Sequence, residues 1–284
     1  SRSQVSADAF ARRFAIPRAH GSYDALWDDP DVDVVYVASP HSHHHEMTTA
    51  ALAAGKHVVC EKAFAVNAAQ AREMIEAAQR HDRFLMEAMW TWFLPAVIDL
   101  RERIVAGEVG ELRLVDANFG IPVHDPGGRH RRLDLAGGAL LDLGIYPISF
   151  ARHLAGSHHD LPGAAVESVV PTGTLADSGV DATIGGAISF VDGVLGTFHT
   201  TIDVQTDLRA TVYGTAGRID VDPPFWFPTR YTVRRHGDEA VSVELPHRGL
   251  AHEAMHAIDR IRAGHRESDV IPLRTTVETM EVLD

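Results

Sequence analysis

A lysine, an aspartate and a tyrosine are the residues of this chain best equipped to move a proton. Lys62 lies in "CEKAF", at the end of the short apolar run "HVVCE" at 57–61. A lysine at the carboxyl end of a buried strand, partly withdrawn from water, has a lowered pKa and can exchange a proton with a substrate hydroxyl. For that pentapeptide alone, the other reading is a plain surface lysine beside Glu61. Asp142 and Tyr146 stand four apart in "GGALLDLGIYPI". On a helix both project from one face, while Leu140, Leu141 and Ile145 pack elsewhere. A phenol donates to a substrate oxygen, and a carboxylate orients a neighbouring hydroxyl or supports a cation. Gly137 and Gly138 just before them allow a turn, or a close approach of chain to ligand.

The stretch "SPHSHHHEM" puts His41, His43, His44 and His45 within five positions. Neighbouring imidazoles on an extended segment point in opposite directions, so one ion cannot easily collect them. The H-E-x-x-H spacing is absent, since His45-Glu46 runs on into Met-Thr-Thr, and no metal is expected. The position of the cluster says more than its composition. Ligands of open α/β sheets bind beyond the carboxyl ends of the strands, and this loop follows such an end directly. His41 and His44 therefore either face a bound ligand or are solvated at a helix start; His43 and His45 read as solvated.

The elements that must position these groups follow from periodicity. "VDVVYVAS" at 32–39 is a nearly continuous β-branched run, as in a strand covered on both faces. "EMTTAALAAGK" reads as a helix with Gly55 as its left-handed stop, and 57–61 as the next strand. A second helix in "NAAQAREMIEAAQRH" takes Asn67 as N-cap and leads to the strand-like "RFLMEAM". Beyond residue 110 the pattern changes. After a helix around 95–106 come "ELRLVDANFG", "ATIGGAISF", "VLGTFHTTI", "LRATVYG" and "YTVRRHG", interrupted by a helix near 139–154. Such short strands favour an open, mostly antiparallel sheet. The expected fold class is an α/β unit followed by an α+β unit, divided as 1–92 and 93–284, with the last helix free to return to the first unit.

Bulk properties narrow the classes. The formal net charge of −13 and the lack of a Lys/Arg block argue against nucleic acid and against an anionic membrane surface. The single cysteine, Cys60, cannot form an internal disulfide, which fits a reducing, cytoplasmic setting. No apolar run reaches the length of a membrane span.

Together, "DPDVDVVYVASPHSHHHEMTTAALAAGKHVVCEKAF", "FLMEAMWTWFLPA", "GGALLDLGIYPI" and "VYGTAGRIDV" resemble, in family order, the Gfo/Idh/MocA oxidoreductases, and most of all their dihydrodiol and xylose dehydrogenase branch. The resemblance implies a Rossmann domain and a second domain whose open sheet covers the active site and often builds a dimer or tetramer interface. It also implies hydride exchange between nicotinamide and a secondary alcohol or hemiacetal carbon of a sugar, polyol or dihydrodiol. Lys62 then takes the place of the E-K-P lysine, Glu61 that of a cofactor-contacting glutamate, and Asp142 with Tyr146 that of the D-x-x-x-[HY] pair. Ser39, Pro40, His41 and His44 match the loop beside the nicotinamide, and Trp90 matches the aromatic position of the M-W segment.

Three departures from the pattern matter. Ala63 replaces the proline of E-K-P, which removes a restraint on the turn presenting Lys62. Trp92 stands where close relatives often carry arginine, which would change substrate contacts. No G-x-G-x-x-G occurs, and "SRSQVSADAFARRFAI" matches the end of the family's second strand and the helix after it, so the first β-α unit is expected to lie outside this sequence. Ser1 and Arg2 can receive a 2′-phosphate where NAD sites place an acid, which favours NADP over NAD. The loop "IPVHDPGGRHRRLD" shapes the pocket, with Arg132 either approaching substrate or bonding the start of the next helix. The alternative reading is a non-catalytic, nucleotide-sensing regulator on the same scaffold.

Overall fold

A computed structural model describes residues 1–284, the side chain of His158 excepted. Strands β1 (Val34–Val37), β2 (His57–Glu61) and β3 (Leu85–Ala88) form a parallel sheet in that order. Helices α1 (Gln4–Phe14), α2 (Tyr23–Trp27), α3 (His44–Ala53) and α4 (Ala68–Arg80) accompany it. Each boundary has a local cause. Gly55, at φ 78, turns the chain after α3, a conformation that costs a residue without Cβ little. Asn67 caps α4 by accepting from the Gln70 N–H at 2.9 Å. Val58 and Cys60 of β2 are wholly buried, as a strand covered on both faces requires. Because β1 and β2 run parallel with Val37 opposite Cys60, the segments leaving them, Ser39–Pro40 and Lys62, emerge at the same edge.

After α5 (Pro95–Val105), the chain builds β4 (Leu112–Gly120), α6 (Ile145–Ala155), β5 (Val166–Leu175), β6 (Asp181–Phe190), β7 (Leu195–Thr201), β8 (Ala210–Gly214), β9 (Gly217–Val221), β10 (Arg230–Arg235) and β11 (Val241–Glu244). The strands form one open sheet in the order β11-β10-β9-β8-β4-β7-β6-β5. Only the central pair β4–β7 is parallel. This is the α/β plus open antiparallel architecture expected from sequence. Helix α6 lies on β4 and β7, and all of its residues are buried. The stretch Leu133–Ala155 is apolar enough by composition to cross a membrane, but here α6 is a core helix. Two helices close the chain, α7 (Ala251–Arg262) and α8 (Leu273–Leu283). Helix α8 packs against α4 and β3, and the Asp284 side-chain carboxylate accepts from the Ala68 N–H at 3.0 Å.

Strand β5 has no counterpart in the sequence reading. It carries Pro171 and Gly173, residues that signal turns. It forms the outer edge of the sheet and pairs only with β6. An edge strand tolerates proline because one side of its ladder needs no donor. The helix expected at 139–154 begins as a π-helical turn, Leu140–Gly144, before α6.

Candidate active site

The edge where β1 and β2 end faces the start of α6 across a cleft of about 650 Å³. Ser39, Pro40, His41, Glu61, Lys62 and Trp90 line one wall; Arg129, Asp142, Tyr146, Phe227, Gly249 and Leu250 line the other. A second concavity of about 640 Å³, beside Glu111, Arg113, His159 and Asp192, contains none of these residues.

Lys62 reaches across the cleft. Its ammonium donates to the Asp142 carbonyl at 2.7 Å and to Asp142 Oδ1 at 3.0 Å. It also lies 4.8 Å from the centroid of the Tyr146 ring, within cation–π range. Burial alone would lower its pKa, but Tyr146, Asp142 and Glu61 together outweigh burial and hold it above the ordinary lysine value. The lowered pKa expected from strand-end desolvation is therefore corrected: the desolvation is present, and a buried carboxylate within hydrogen-bond range reverses its effect. The Lys62–Ala63 peptide is cis.

Asp142 is 4% exposed and is surrounded by positive and polar groups. Arg129 Nη2 donates to both of its oxygens, at 3.1 and 3.0 Å, His130 Nε2 lies 2.7 Å from Oδ2, and His41 Nε2 lies 3.7 Å from Oδ1. Burial would raise this carboxyl, but the His130 hydrogen bond and the charges of Lys62 and Arg129 hold it far below the usual carboxylate range. Gly138 sits at φ +120, and a Cβ there would lie 2.0 Å from Asp181 Oδ1. That approach lets Asp181 Oδ2 accept from the Leu140 N–H at 2.6 Å, which caps the turn carrying Asp142.

Tyr146 is buried against an aromatic wall. Trp90 Nε1–H donates to its hydroxyl at 3.0 Å. Phe119 and Trp226 stack at 3.5 Å beside it, and Phe227 lies 5.0 Å from Trp90. Burial raises the Tyr146 pKa against the opposing pull of Lys62 and of the Trp90 hydrogen bond.

The histidines divide by position. His41 lines the cleft with Nδ1 3.3 Å from the Ala136 carbonyl. Burial, then the Lys62 charge, pushes it down to about 4, so the ring is neutral near pH 7. His44 lies behind the cleft, wholly buried, with its two nitrogens 2.8 Å from the Ala63 and Ser39 carbonyls. It thus ties the loop after β1 to the loop after β2. His45 pairs with Glu73 at 2.7 Å, and His43 Nδ1 meets the Ser42 hydroxyl at 3.0 Å.

Other expected residues lie elsewhere. Ser1 and Arg2 are exposed ahead of α1 and do not line the cleft. Trp92 is 1% exposed and stacks on His153 at 4.0 Å, so it touches core and not cleft. It stands two residues after Trp90, which lines the cleft. Arg132 pairs with Asp134 at the surface, while Arg129 and His130 of the same basic run reach Asp142. Of the two readings open for Arg132, the pairing with Asp134 in the helical turn Leu133–Leu135 is the one in which it bonds the start of the next helix. Phe227, Gly249 and Leu250 carried no signal, because nothing local marks a residue that meets the site from a distant loop.

Residues 1–89 match the model of the oxidoreductase family GFO_IDH_MocA, with an NAD-binding Rossmann fold, and residues 97–220 match the GFO/IDH/MocA C-terminal domain. The chain belongs to the Gfo/Idh/MocA oxidoreductase family. It is 37% identical to trans-1,2-dihydrobenzene-1,2-diol dehydrogenase of Homo sapiens, over 100% of this chain and 85% of that protein. It is 36% identical to D-xylose 1-dehydrogenase (NADP(+)) of Hypocrea jecorina, over 94% and 75%. Among solved structures, the aldose-aldose oxidoreductase of Caulobacter crescentus complexed with glycerol superposes with a TM-score of 0.86 at 26% identity, covering 99% of this chain and 84% of that one. A 3-ketoreductase from Actinomadura kijaniata, in complex with NADP and TDP-benzene, gives 0.87 at 26%, covering 100% and 86%.

This Gfo/Idh/MocA member is an NAD(P)-dependent dehydrogenase or reductase. The relatives found are enzymes by name, and nothing among them supports the sensor alternative. Its own residues fit a dinucleotide. Ser39, in the loop that leaves β1, keeps a buried hydroxyl with no hydrogen-bond partner at the cleft wall. A hydroxyl left without a protein partner is free to bond a ligand or water in the cleft. Glu61 and Trp90 flank the same wall.

Proposed function

We propose that the cleft interconverts a secondary alcohol and a carbonyl on a ring-shaped sugar, polyol or dihydrodiol, with NADP preferred over NAD. The observation that carries this reading is the convergence of Lys62, from the strand-end loop, and Tyr146, from α6, 4.8 Å from ammonium to ring centroid in one cleft. Bound nicotinamide supplies or accepts the hydride at the reacting carbon. Ser39, Pro40, His41, Glu61 and Trp90 would hold the cofactor from the first wall, with His44 bracing the loop after β1. Lys62 and Tyr146 handle the hydroxyl proton.

Both proton-carrying groups have raised pKa values, so near neutral pH the site offers two donors to a substrate oxygen. That arrangement suits carbonyl reduction, in which the oxygen gains a proton as the carbon gains hydride. In the oxidative direction one of the two groups must first lose its proton, and then takes the hydroxyl proton as hydride leaves. Both oxygens of Asp142 are engaged by Lys62, Arg129 and His130. Its role is thus to hold the ammonium in place, and Arg129 is the group left to meet a neighbouring substrate hydroxyl. The aromatic surfaces of Trp90 and Phe227 give an apolar ring face something to pack on.

The substrate names of the human and Hypocrea relatives support this class, and the NADP in the printed names of two relatives supports the cofactor preference. The same reading divides the chain at 92/93, assembles it as a homo-oligomer through the open sheet, where Val170 and Leu175 are 70% and 73% exposed, and places it in the cytoplasm. The test follows nicotinamide absorbance with NADP and with NAD against sugars, inositols and trans-dihydrodiols in both directions. Turnover with at least one ring diol is expected; cofactor binding without turnover on the whole panel would overturn the proposal.

A further inference from the structure

A buried carboxyl on α7 lies behind the cofactor wall, outside the proton machinery described above. Glu253 is 0% exposed, and its Oε2 is buried with no hydrogen-bond partner. Its Oε1 lies 3.1 Å from the Tyr36 hydroxyl, and that hydroxyl lies 2.7 Å from Glu61 Oε1. The second Glu61 oxygen accepts from the Lys62 N–H at 3.2 Å. One phenolic hydroxyl thus stands between two carboxyl groups from opposite ends of the sequence.

The hydroxyl has one proton to donate, and two carboxylates would both demand it. The arrangement closes only if one carboxyl brings a proton of its own. Glu61 borders the cleft and keeps contact with water, whereas Glu253 is wholly enclosed, so the proton belongs on Glu253. The unpartnered Oε2 says the same: a neutral carbonyl oxygen without a donor costs far less than half of a carboxylate without one. The chain of bonds then runs from the Glu253 carboxylic acid to the Tyr36 oxygen, and from the Tyr36 hydroxyl to the Glu61 carboxylate.

We propose that Glu253 is a positioning residue that aims Glu61 at the bound cofactor through the Tyr36 hydroxyl, and that loss of its proton releases Glu61. This rests on the reading of Glu61 as a cofactor contact. The groups acting on Glu253 are Glu61 of β2, Tyr36 of β1 and Glu87 of β3, none of them a cation, and the turn Trp90–Phe93 packed against α7 has no ionisable side chain. Burial, followed by the Glu61 charge, pushes Glu253 up to about 8. Above that pH two carboxylates compete for one hydroxyl, and Glu61 is repelled from its place.

The experiment measures NADP affinity of the protein across pH by fluorescence titration. Wild-type affinity is expected to weaken on the order of tenfold as pH rises through about 8. Glu253→Gln, whose amide donates to Tyr36 at every pH, is expected to keep the neutral-pH affinity and lose the decline. Tyr36→Phe is expected to bind weakly at all pH values. A Glu253→Gln profile that declines like wild type, or a flat wild-type profile, would overturn the proposal. Two further readouts separate the parts. Unchanged NADP affinity in Glu61→Ala would remove Glu61 from the cofactor wall, and the positioning role with it. A protonated-carboxyl stretch in the infrared difference spectrum at neutral pH, absent from Glu253→Gln, reports the shared proton whatever Glu61 contacts; its absence from wild type would also overturn the proposal.

Discussion

The Lys62 ammonium donates to both the main-chain carbonyl and the side-chain carboxylate of Asp142, at 2.7 and 3.0 Å. Two acceptors on one residue set both the height and the direction of the lysine head. The side chain is 11% exposed, so water competes little for either bond. The arrangement turns a flexible four-carbon stem into a located charge beside Tyr146.

Lys62→Ala removes that charge. Turnover is expected to fall by roughly 10²–10⁴-fold, while NADP(H) affinity stays within several-fold of wild type. Steady-state rates and a cofactor titration on the same preparation check this. Near-normal turnover would exclude Lys62 from proton transfer.

Asp142→Asn deletes the carboxylate that opposes desolvation of Lys62. Asp142 raises the Lys62 pKa, so its loss lowers that pKa. Oxidation requires a deprotonated acceptor, and its rate in wild type should climb toward alkaline pH. In Asp142→Asn the rising limb of log(kcat/KM) should move to lower pH, with a lower plateau because the lysine is less well held. A limb that stays in place assigns the titration to another group.

Acid stability follows from the same carboxyl. Its folded pKa lies below its unfolded value of about 3.9, so its contribution to stability is complete above that pH and is lost as pH falls from there toward the folded pKa. Denaturant midpoints measured from neutral pH down to about pH 3 should show a smaller acid loss in Asp142→Asn than in wild type. An equal loss in both would place the acid-sensitive group elsewhere.

Trp90→Phe takes away the Nε1–H that meets the Tyr146 hydroxyl at 3.0 Å. This bond lowers the Tyr146 pKa, so the variant's tyrosine titrates at higher pH. Turnover should drop about tenfold, the equivalent of roughly 1 to 1.5 kcal/mol for one hydrogen bond. Tyr146 fluorescence or ultraviolet titration reads the shift directly, and an unshifted titration would mean the bond is not made in solution.

Gly138→Ala tests the turn before Asp142. A Cβ would meet Asp181 Oδ1 at 2.0 Å, at a φ of +120 that side chains rarely adopt. A loss of at least about 2 kcal/mol in urea unfolding is expected, with a fall in activity as Asp181 leaves the Leu140 N–H. Wild-type stability and activity would show that the turn has room.

Much of the first unit was legible because its signals are local. A strand of β-branched residues, a glycine in the left-handed region and an asparagine N-cap each act within a few positions, and Val34–Val37, Gly55 and Asn67 stand where those rules put them. Strand β5 was not legible, since Pro171 is acceptable only on an edge, and whether a strand is an edge depends on its neighbours. Trp90 and Trp92 show the same limit at closer range. Two tryptophans with one residue between them point to different places, one to the cleft and one to the core beside His153. The three-residue basic step from Arg129 to Arg132 is similar, because only the course of the loop selects which guanidinium reaches Asp142.

The amino-acid order alone was enough to establish the two-part architecture, the candidate trio Lys62, Asp142 and Tyr146, and the family. What it left open was the electrostatic state of that trio. A lysine's pKa is set by desolvation and by charges within a few ångströms, and here the carboxylate that Lys62 bonds, Asp142, is 80 positions away. Glu253 and Tyr36 are 217 positions apart, yet they share one hydrogen bond. Coulombic and hydrogen-bond energies depend on distance in space and on exclusion of water, and both are properties of the folded chain.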